Sequence, residues 1–135
     1  MKTRRKFISR LGGITALLIL GTLVRANEKT AKLQGEFFHV VFFWLINDTK
    51  EVSKKFEQEL SQFIDQVDEI KTSHIGTPAD TDRDVIDNTW SYSLILSFNS
   101  KKEQDIYQEH QAHKIFIENA ASLWEKVLVY DSLKN

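Results

Sequence analysis

Alternation of apolar residues is strongest at positions 37–46, which read FFHVVFFWLI. The segment has the length of a strand and is rich in β-branched and aromatic residues. Both of its alternating sets are largely apolar, a pattern typical of a strand that is covered on both faces. The first expectation is therefore a strand with two buried faces.

A helical pattern follows this strand. Apolar residues recur at spacings of three and four from Val52 to Ile70, and Asp48 with Glu51 can form a capping box ahead of them. The pattern predicts an amphipathic helix of about five turns. A short strand is expected next, over 71–76, and then a polar loop over 79–89.

The second half of the chain repeats the order of strand, helix and strand. Residues 90–98 alternate between an apolar and a mainly small polar set, which is typical of a half-buried strand. Ser100 and Glu103 fit a capping box that opens a helix of about ten residues. A second helical stretch is expected over 113–124 and a last strand over 126–132.

The order βαββαβ predicts an α+β, ferredoxin-like fold, in which a four-stranded antiparallel sheet carries helices on one face only. The strand at 37–46 is nevertheless apolar on both faces. Each large apolar side chain left exposed would forgo about 1.5–3 kcal/mol. We therefore predict a homodimer with the two sheets face to face, a dimeric α/β barrel.

The N-terminus predicts export. Arg4 and Arg5, followed by Phe7-Ile8, resemble a twin-arginine signal, and the apolar run at 11–24 is shorter than the roughly 20 residues that span a bilayer. Small residues at Val24 and Ala26 predict cleavage after Ala26. The alternative is a retained membrane helix.

Three segments follow from this: a twin-arginine-type signal peptide (1–26), a polar linker (27–36) and one domain (37–135). The signal segment would touch the membrane only transiently, and the domain would be periplasmic or extracellular.

Charge and composition exclude several function classes. The whole chain carries a formal charge of −1, and all six charges in residues 1–26 are positive, so the remainder carries −7. An acidic domain without a basic stripe disfavours nucleic acid as a partner. The chain has no cysteine, which excludes disulfides, thiolate metal sites and a thiol nucleophile.

The densest candidate chemistry lies at 107–113, where Tyr107, His110 and His113 occur together. On an unbroken helix Tyr107 and His113 would lie about 120° apart, so all three could line one broad wall. Histidine exchanges protons near neutral pH, and a buried tyrosine or histidine can orient a carbonyl or an enolate. The alternative is a capped helix end with solvated histidines.

His39 interrupts the apolar alternation of the first strand. An inward imidazole without a partner would cost about 1–3 kcal/mol, so His39 either pairs with another buried polar group or faces a hydrated cavity. The alternative is a satisfied histidine at the end of the strand, close to solvent.

No metal or cofactor is predicted. His110 and His113 have possible ligand spacing, but no pattern supplies the further ligands. The acidic stretch Asp80-x-Asp82-x-Asp84 fails as a calcium loop, because Val85 stands where the loop glycine is needed and Ser91 where the closing glutamate is needed.

Taken together, these residues resemble the stress-responsive A/B barrel family, which has the ferredoxin-like fold and forms dimeric α/β barrels. The features that carry the resemblance are His39 in HVVFFWL, Gly76, Phe98, the element Tyr107-x-x-His110-x-Ala112-His113, and WEKVLVYD at 124–131. The same element resembles plant olivetolic acid cyclase, a family member that closes a linear polyketide. This chain departs from the family in having Gln111 where proline is usual, and Tyr92 where the cyclase has a histidine.

The resemblance implies that His113 is a general base that removes a proton next to a carbonyl, and that Tyr107 holds the carbonyl oxygen. The expected ligand-binding residues are His39, Phe43, Tyr92, His110 and Trp124. The leading interpretation is a homodimer that binds a small apolar molecule in its cavity. One alternative is a cyclase-like or lyase-like enzyme acting on an enolisable carbonyl. Another is a protein related to the haem or quinol monooxygenases of the wider superfamily.

Overall fold

The computed structural model describes residues 32–135, so the predicted signal peptide and residues 27–31 of the linker lie outside the described part. Its elements, in chain order, are β1 (Phe37–Leu45), α1 (Lys50–Ile64), β2 (Thr72–Gly76), β3 (Tyr92–Phe98), α2 (Lys101–Glu109), α3 (Gln111–Ala120), a 3₁₀ turn (Ala121–Leu123) and β4 (Trp124–Leu133). The order βαββαβ is therefore confirmed, with the second crossover divided into two helices.

The four strands form one sheet in the order β2-β3-β1-β4, and every neighbouring pair is antiparallel. This order is that of the ferredoxin-like fold, so the predicted fold class is confirmed. β1 is a central strand that pairs with both β3 and β4. Its register places His39 opposite Leu96 on one side and Asp131 on the other.

Local signals set the helix starts. The hydroxyl of Ser100 accepts from Glu103 N–H at 3.1 Å, and the Glu103 carboxylate accepts from Asn99 N–H at 2.8 Å, close to the predicted box. At α1 the cap is Thr49 instead of the predicted Asp48, since Thr49 Oγ1 accepts from Val52 N–H at 3.3 Å.

Two predicted boundaries were wrong. α1 ends at Ile64 instead of continuing to Ile70, and the chain then proceeds in turns while Val67 remains buried. Trp124 opens β4 instead of closing a helix, because the helical segment ends in the 3₁₀ turn just before it. Apolar spacing alone did not separate these turns from true helix.

The hydrophobic core lies between the helices and one face of the sheet. Alternate residues of β1 and β3 supply the sheet side, and three aromatic or leucine residues of α1 supply much of the helix side. Phe56 is fully buried and packs against Phe43, with 5.0 Å between ring centroids, and against Tyr92 at 5.1 Å. The large aromatic side chains therefore bind the two layers together.

The opposite face of the sheet is covered in part by the loop between β2 and β3. Trp90 packs on Phe42 with 5.1 Å between centroids, and Trp44 Nε1 donates to Thr89 Oγ1 at 3.0 Å. Ser93 and Ser97, which face this side, are buried. The second face of β3 is thus less open than its small polar residues suggested.

None of the helices in residues 32–135 is both long and apolar enough to cross a membrane.

Candidate functional site

A cavity of about 190 Å³ lies between the sheet and the helices α2 and α3. Strands β1, β3 and β4 form its floor, and α2, α3 and the start of β4 form its walls. Most of the lining is apolar. The apolar lining residues are Val41, Phe43, Leu94, Phe116, Ile117, Trp124, Val127 and Val129.

The polar lining residues are His39, Tyr107, Gln108 and His113, and the rings of three of them lie together. The rings of Tyr107 and His113 are 4.6 Å apart between centroids, and those of His39 and Tyr107 are 5.6 Å apart. The backbone break between α2 and α3 brings Tyr107 and His113 together, in place of the shared face of an unbroken helix. Three predicted site residues, His39, Tyr107 and His113, therefore form one cluster, whereas the predicted wall of Tyr107, His110 and His113 is wrong for His110.

His39 is held by a carboxylate that sequence reasoning missed. Its Nδ1 lies 2.6 Å from Asp131 Oδ1, and the imidazole is buried whereas Asp131 is half exposed. With the carboxylate as acceptor, Nδ1 carries a proton, and in the neutral form of the ring Nε2 has the lone pair. The signal for Asp131 was a charge that interrupts the apolar alternation of β4, but its partner depends on strand register.

His113 is also held through Nδ1, which lies 3.3 Å from the backbone oxygen of Gln108. Because a carbonyl only accepts, Nδ1 is the donor and Nε2 is again the free acceptor. Burial lowers the pKa of His113, against an opposing contribution from the Gln108 hydrogen bond, and His39 lowers it further whenever its own ring is protonated. The neutral, proton-accepting imidazole is therefore favoured near neutral pH.

Tyr107 is the proton donor of the cluster. Burial, and then the negative charge of Asp131, raise the pKa of its phenol well above the usual range. Its hydroxyl has no hydrogen-bond partner in residues 32–135. Every fully buried side-chain polar atom in that part of the chain does have a partner, so this hydroxyl is not fully buried. The hydroxyl therefore reaches the open cavity, where it can donate to a bound molecule.

The remaining predicted site residues divide into two groups. Phe43 and Trp124 line the cavity. Tyr92 and His110 are not among its lining residues in the described part of the chain. The Tyr92 hydroxyl instead donates to Glu57 Oε1 at 2.7 Å, and burial with this carboxylate raises its pKa to about 12. His110 lies between α2 and α3, with its ring turned to the backbone of α3.

Metal ligation has little to build on in the part of the chain that the structure describes. No group of three or more histidine, aspartate or glutamate side chains forms a potential metal site there. The lining residues themselves offer two imidazoles, one phenol, one carboxamide and a hydrophobic wall.

These features define a class: a ferredoxin-like domain with a hydrophobic cavity between its sheet and its helices. Residues 37–133 match the model of the stress responsive A/B barrel domain, and the chain belongs to this family. No curated protein is significantly similar to the chain in sequence.

Solved structures with this fold come from plants and bacteria. A protein of Arabidopsis thaliana is 20% identical with a TM-score of 0.63, and the match covers 73% of this chain and 95% of that one. A protein of Bacteroides fragilis, described as dimeric and ferredoxin-like, is 19% identical with a TM-score of 0.59, over 76% and 100%. A hydroxynitrile lyase of Passiflora edulis is 17% identical with a TM-score of 0.62, over 75% and 94%.

The lowered pKa of His113 predicts a specific dependence of stability on pH. Below the ordinary value of 6.5 the unfolded chain takes up a proton that the folded imidazole resists, so the free energy of unfolding decreases as pH falls through this value and the contribution levels off below the folded pKa. We expect His113→Asn to remove this component. Urea denaturation between about pH 5 and 8 measures it.

The matched control is His74→Asn, on the exposed strand β2. If His113→Asn leaves the pH slope of wild type unchanged, the neutral state assigned to His113 is wrong.

Proposed function

We propose that the mature domain is a homodimer that binds a small, mainly apolar molecule in the cavity. The observation that supports this is a largely apolar hollow of about 190 Å³ with four polar residues in its lining, three of which, His39, Tyr107 and His113, form one cluster. A dry apolar cavity of about 150 Å³ accepts one benzene, so a single-ring or short-chain compound suits this hollow in size. The polar groups would orient such a molecule by its oxygen.

The homodimer is supported by the surface of β4. Val127 and Val129 are 44% and 43% exposed on the helix side of the sheet, and Tyr130 is 58% exposed on the other side. Leu128 is exposed beside Tyr130. Clustered apolar exposure of this kind marks an association surface. Similar structures are described as dimeric, in agreement with this proposal.

Export rests on residues 1–26 alone, with their paired arginines, short apolar run and small residues before Asn27. Removal of this segment leaves an acidic domain, which would work outside the cytoplasm. The subunit mass obtained in the dimer experiment tests this as well, since cleavage leaves a chain that begins at Asn27.

The dimer prediction concerns Leu128→Lys. A charge on the sheet face away from the helices should convert the dimer to a monomer, because the lysine would be desolvated in the interface. Native mass spectrometry and sedimentation at about 10 μM measure the assembly. Ile106→Lys, at a residue 42% exposed on α2, is the matched control and should remain dimeric. A monomeric wild type would contradict the proposal.

The binding prediction concerns Val129→Trp. Val129 lines the cavity and is half exposed, so the larger ring can enter the hollow without overpacking the core. We expect toluene or benzyl alcohol to bind to the wild type and to bind at least about 10-fold more weakly to this variant. Ligand-observed NMR measures both affinities. Ile106→Trp is the control, and equal affinities in all three proteins would place the ligand elsewhere.

A second candidate function, acid–base catalysis on an enolisable carbonyl, is favoured by the arrangement around Tyr107. A phenol that must stay protonated lies against an imidazole that is favoured as a base. One neighbour of this fold is a hydroxynitrile lyase, so the fold can carry an enzyme. In contrast, a porphyrin is too large for a cavity of about 190 Å³, so no feature of the cavity favours a haem monooxygenase.

In this reaction Nε2 of His113 accepts the proton of the carbon next to the carbonyl, and the electron pair of that C–H bond forms the enolate. The Tyr107 hydroxyl donates a hydrogen bond to the carbonyl oxygen as negative charge develops on it. His39, fixed by Asp131, offers a second acceptor beside them. The apolar wall limits the access of water, which strengthens these hydrogen bonds.

The catalytic prediction uses phenylacetone, whose α-hydrogens exchange for deuterium in D₂O. Tyr107→Phe should lower the enzymatic exchange rate about 10²–10³-fold, and His113→Ala about 10²–10⁴-fold. Proton NMR follows the loss of the α-hydrogen signal. Tyr92→Phe is the matched control, since Tyr92 lies on the same sheet face but outside the cavity lining. Exchange that survives both substitutions would remove the catalytic assignment and leave the binding proposal in place.

A further inference from the structure

A single residue separates the two helices that carry Tyr107 and His113. α2 ends at Glu109 and α3 begins at Gln111, and His110 between them has extended backbone angles, φ −64° and ψ 138°. No proline or glycine occupies the break. The local feature that accompanies the break is the set of hydrogen bonds made by His110.

His110 is bonded on both sides of the break. Its backbone N–H donates to the backbone oxygen of Tyr107 at 3.1 Å, and its backbone oxygen accepts from Lys114 N–H at 3.2 Å. Its side chain completes the set, because Nδ1 accepts from Ala112 N–H at 3.1 Å. One residue thus ends the turn that carries Tyr107 and caps the turn that carries His113.

We propose that His110 is a positioning residue, which holds His113 against Tyr107 by capping α3 with the unprotonated Nδ1 of its imidazole. The proposal rests on the proposed function only where it treats His113 as the base. The contact that it explains is the 4.6 Å approach of the two rings. Without the cap, the first turn of α3 would lose the hydrogen bond of Ala112 N–H, the residue just before His113.

The ring chemistry of His110 follows from this role. An imidazole can accept from Ala112 N–H only when Nδ1 carries no proton, so the neutral ring has its proton on Nε2. This is the opposite tautomer to those assigned to His39 and His113, which donate through Nδ1. Nitrogen-15 chemical shifts distinguish the two tautomers directly.

Two variants should preserve the break between the helices by other means. His110→Asn keeps a side-chain acceptor at the N-cap position, where asparagine is among the best residues. In His110→Ala/Gln111→Pro, proline takes the first helical position, where the N–H has no intrahelical partner and φ suits the ring. The ψ of 138° at position 110 is also the value that a residue before proline prefers.

The experiment compares wild type, His110→Ala, His110→Asn and the double variant by NMR, with the mature chain and no substrate. In His110→Ala we expect loss of the cross-relaxation between the Tyr107 and His113 rings. We also expect the pKa of His113 to rise toward its ordinary value, because the imidazole becomes more hydrated. His110→Asn and the double variant should retain both wild-type signals. The titration of His74, on exposed β2, should be the same in all four proteins.

Two outcomes overturn the proposal: an unchanged His113 signal in His110→Ala, or an altered one that the double variant fails to restore. If His110→Ala does not fold, recovery of folding and of the His113 titration in the double variant supports the proposal, and failure of that recovery rejects it. Loss of phenylacetone exchange is a separate readout. Should wild type catalyse no exchange while the NMR pattern holds, catalysis is rejected and the positioning role stands.

Discussion

The central position of β1 determines most of this structure. The strand pairs with β3 on one edge and with β4 on the other, so it lies inside the sheet and contributes side chains to both faces of the sheet. One face supplies Val41 and Phe43 to the core and the cavity, together with His39. The other face supplies Phe42 and Trp44 to the contacts with the β2–β3 loop. A one-residue slip in register would exchange these sets and remove the site.

In the largely apolar cavity, each of the two imidazoles has a hydrogen-bond partner within the protein at only one of its nitrogens. Nδ1 of His39 is hydrogen-bonded to a carboxylate, and Nδ1 of His113 to a backbone oxygen. Their Nε2 atoms and the Tyr107 hydroxyl can form hydrogen bonds with a bound molecule. Since an unpaired polar group in an apolar hollow costs about 1–3 kcal/mol, a ligand with an oxygen would be preferred to a pure hydrocarbon.

Much of this was predictable from sequence, and the failures have physical causes. Ser100 with Glu103 is a local signal, and the helix beginning there was found because a cap involves residues only a few positions apart. Asp131 was missed because its contact with His39 spans 92 positions and depends on strand pairing. Two helical stretches with a junction before His113 were predicted, but the cap that His110 forms there could not be derived, since histidine is a rare cap and depends on its tautomer. Residues 1–26, on which the prediction of export rests, lie outside the described part.

The proposed dimer would be coupled to the site through β4. Val127 and Val129 line the cavity and are also partly exposed at the edge of the sheet, so the hollow opens beside the surface that the proposed dimer would use. Water at that opening would raise the local dielectric and weaken the hydrogen bond from Tyr107. A partner sheet that shields β4 would reduce this access. Burial is the leading cause of the shifts at both Tyr107 and His113, so further exclusion of water would drive both pKa values in the directions that they already have. In such a dimer the cluster would favour a protonated phenol beside a neutral imidazole more strongly than in the single chain.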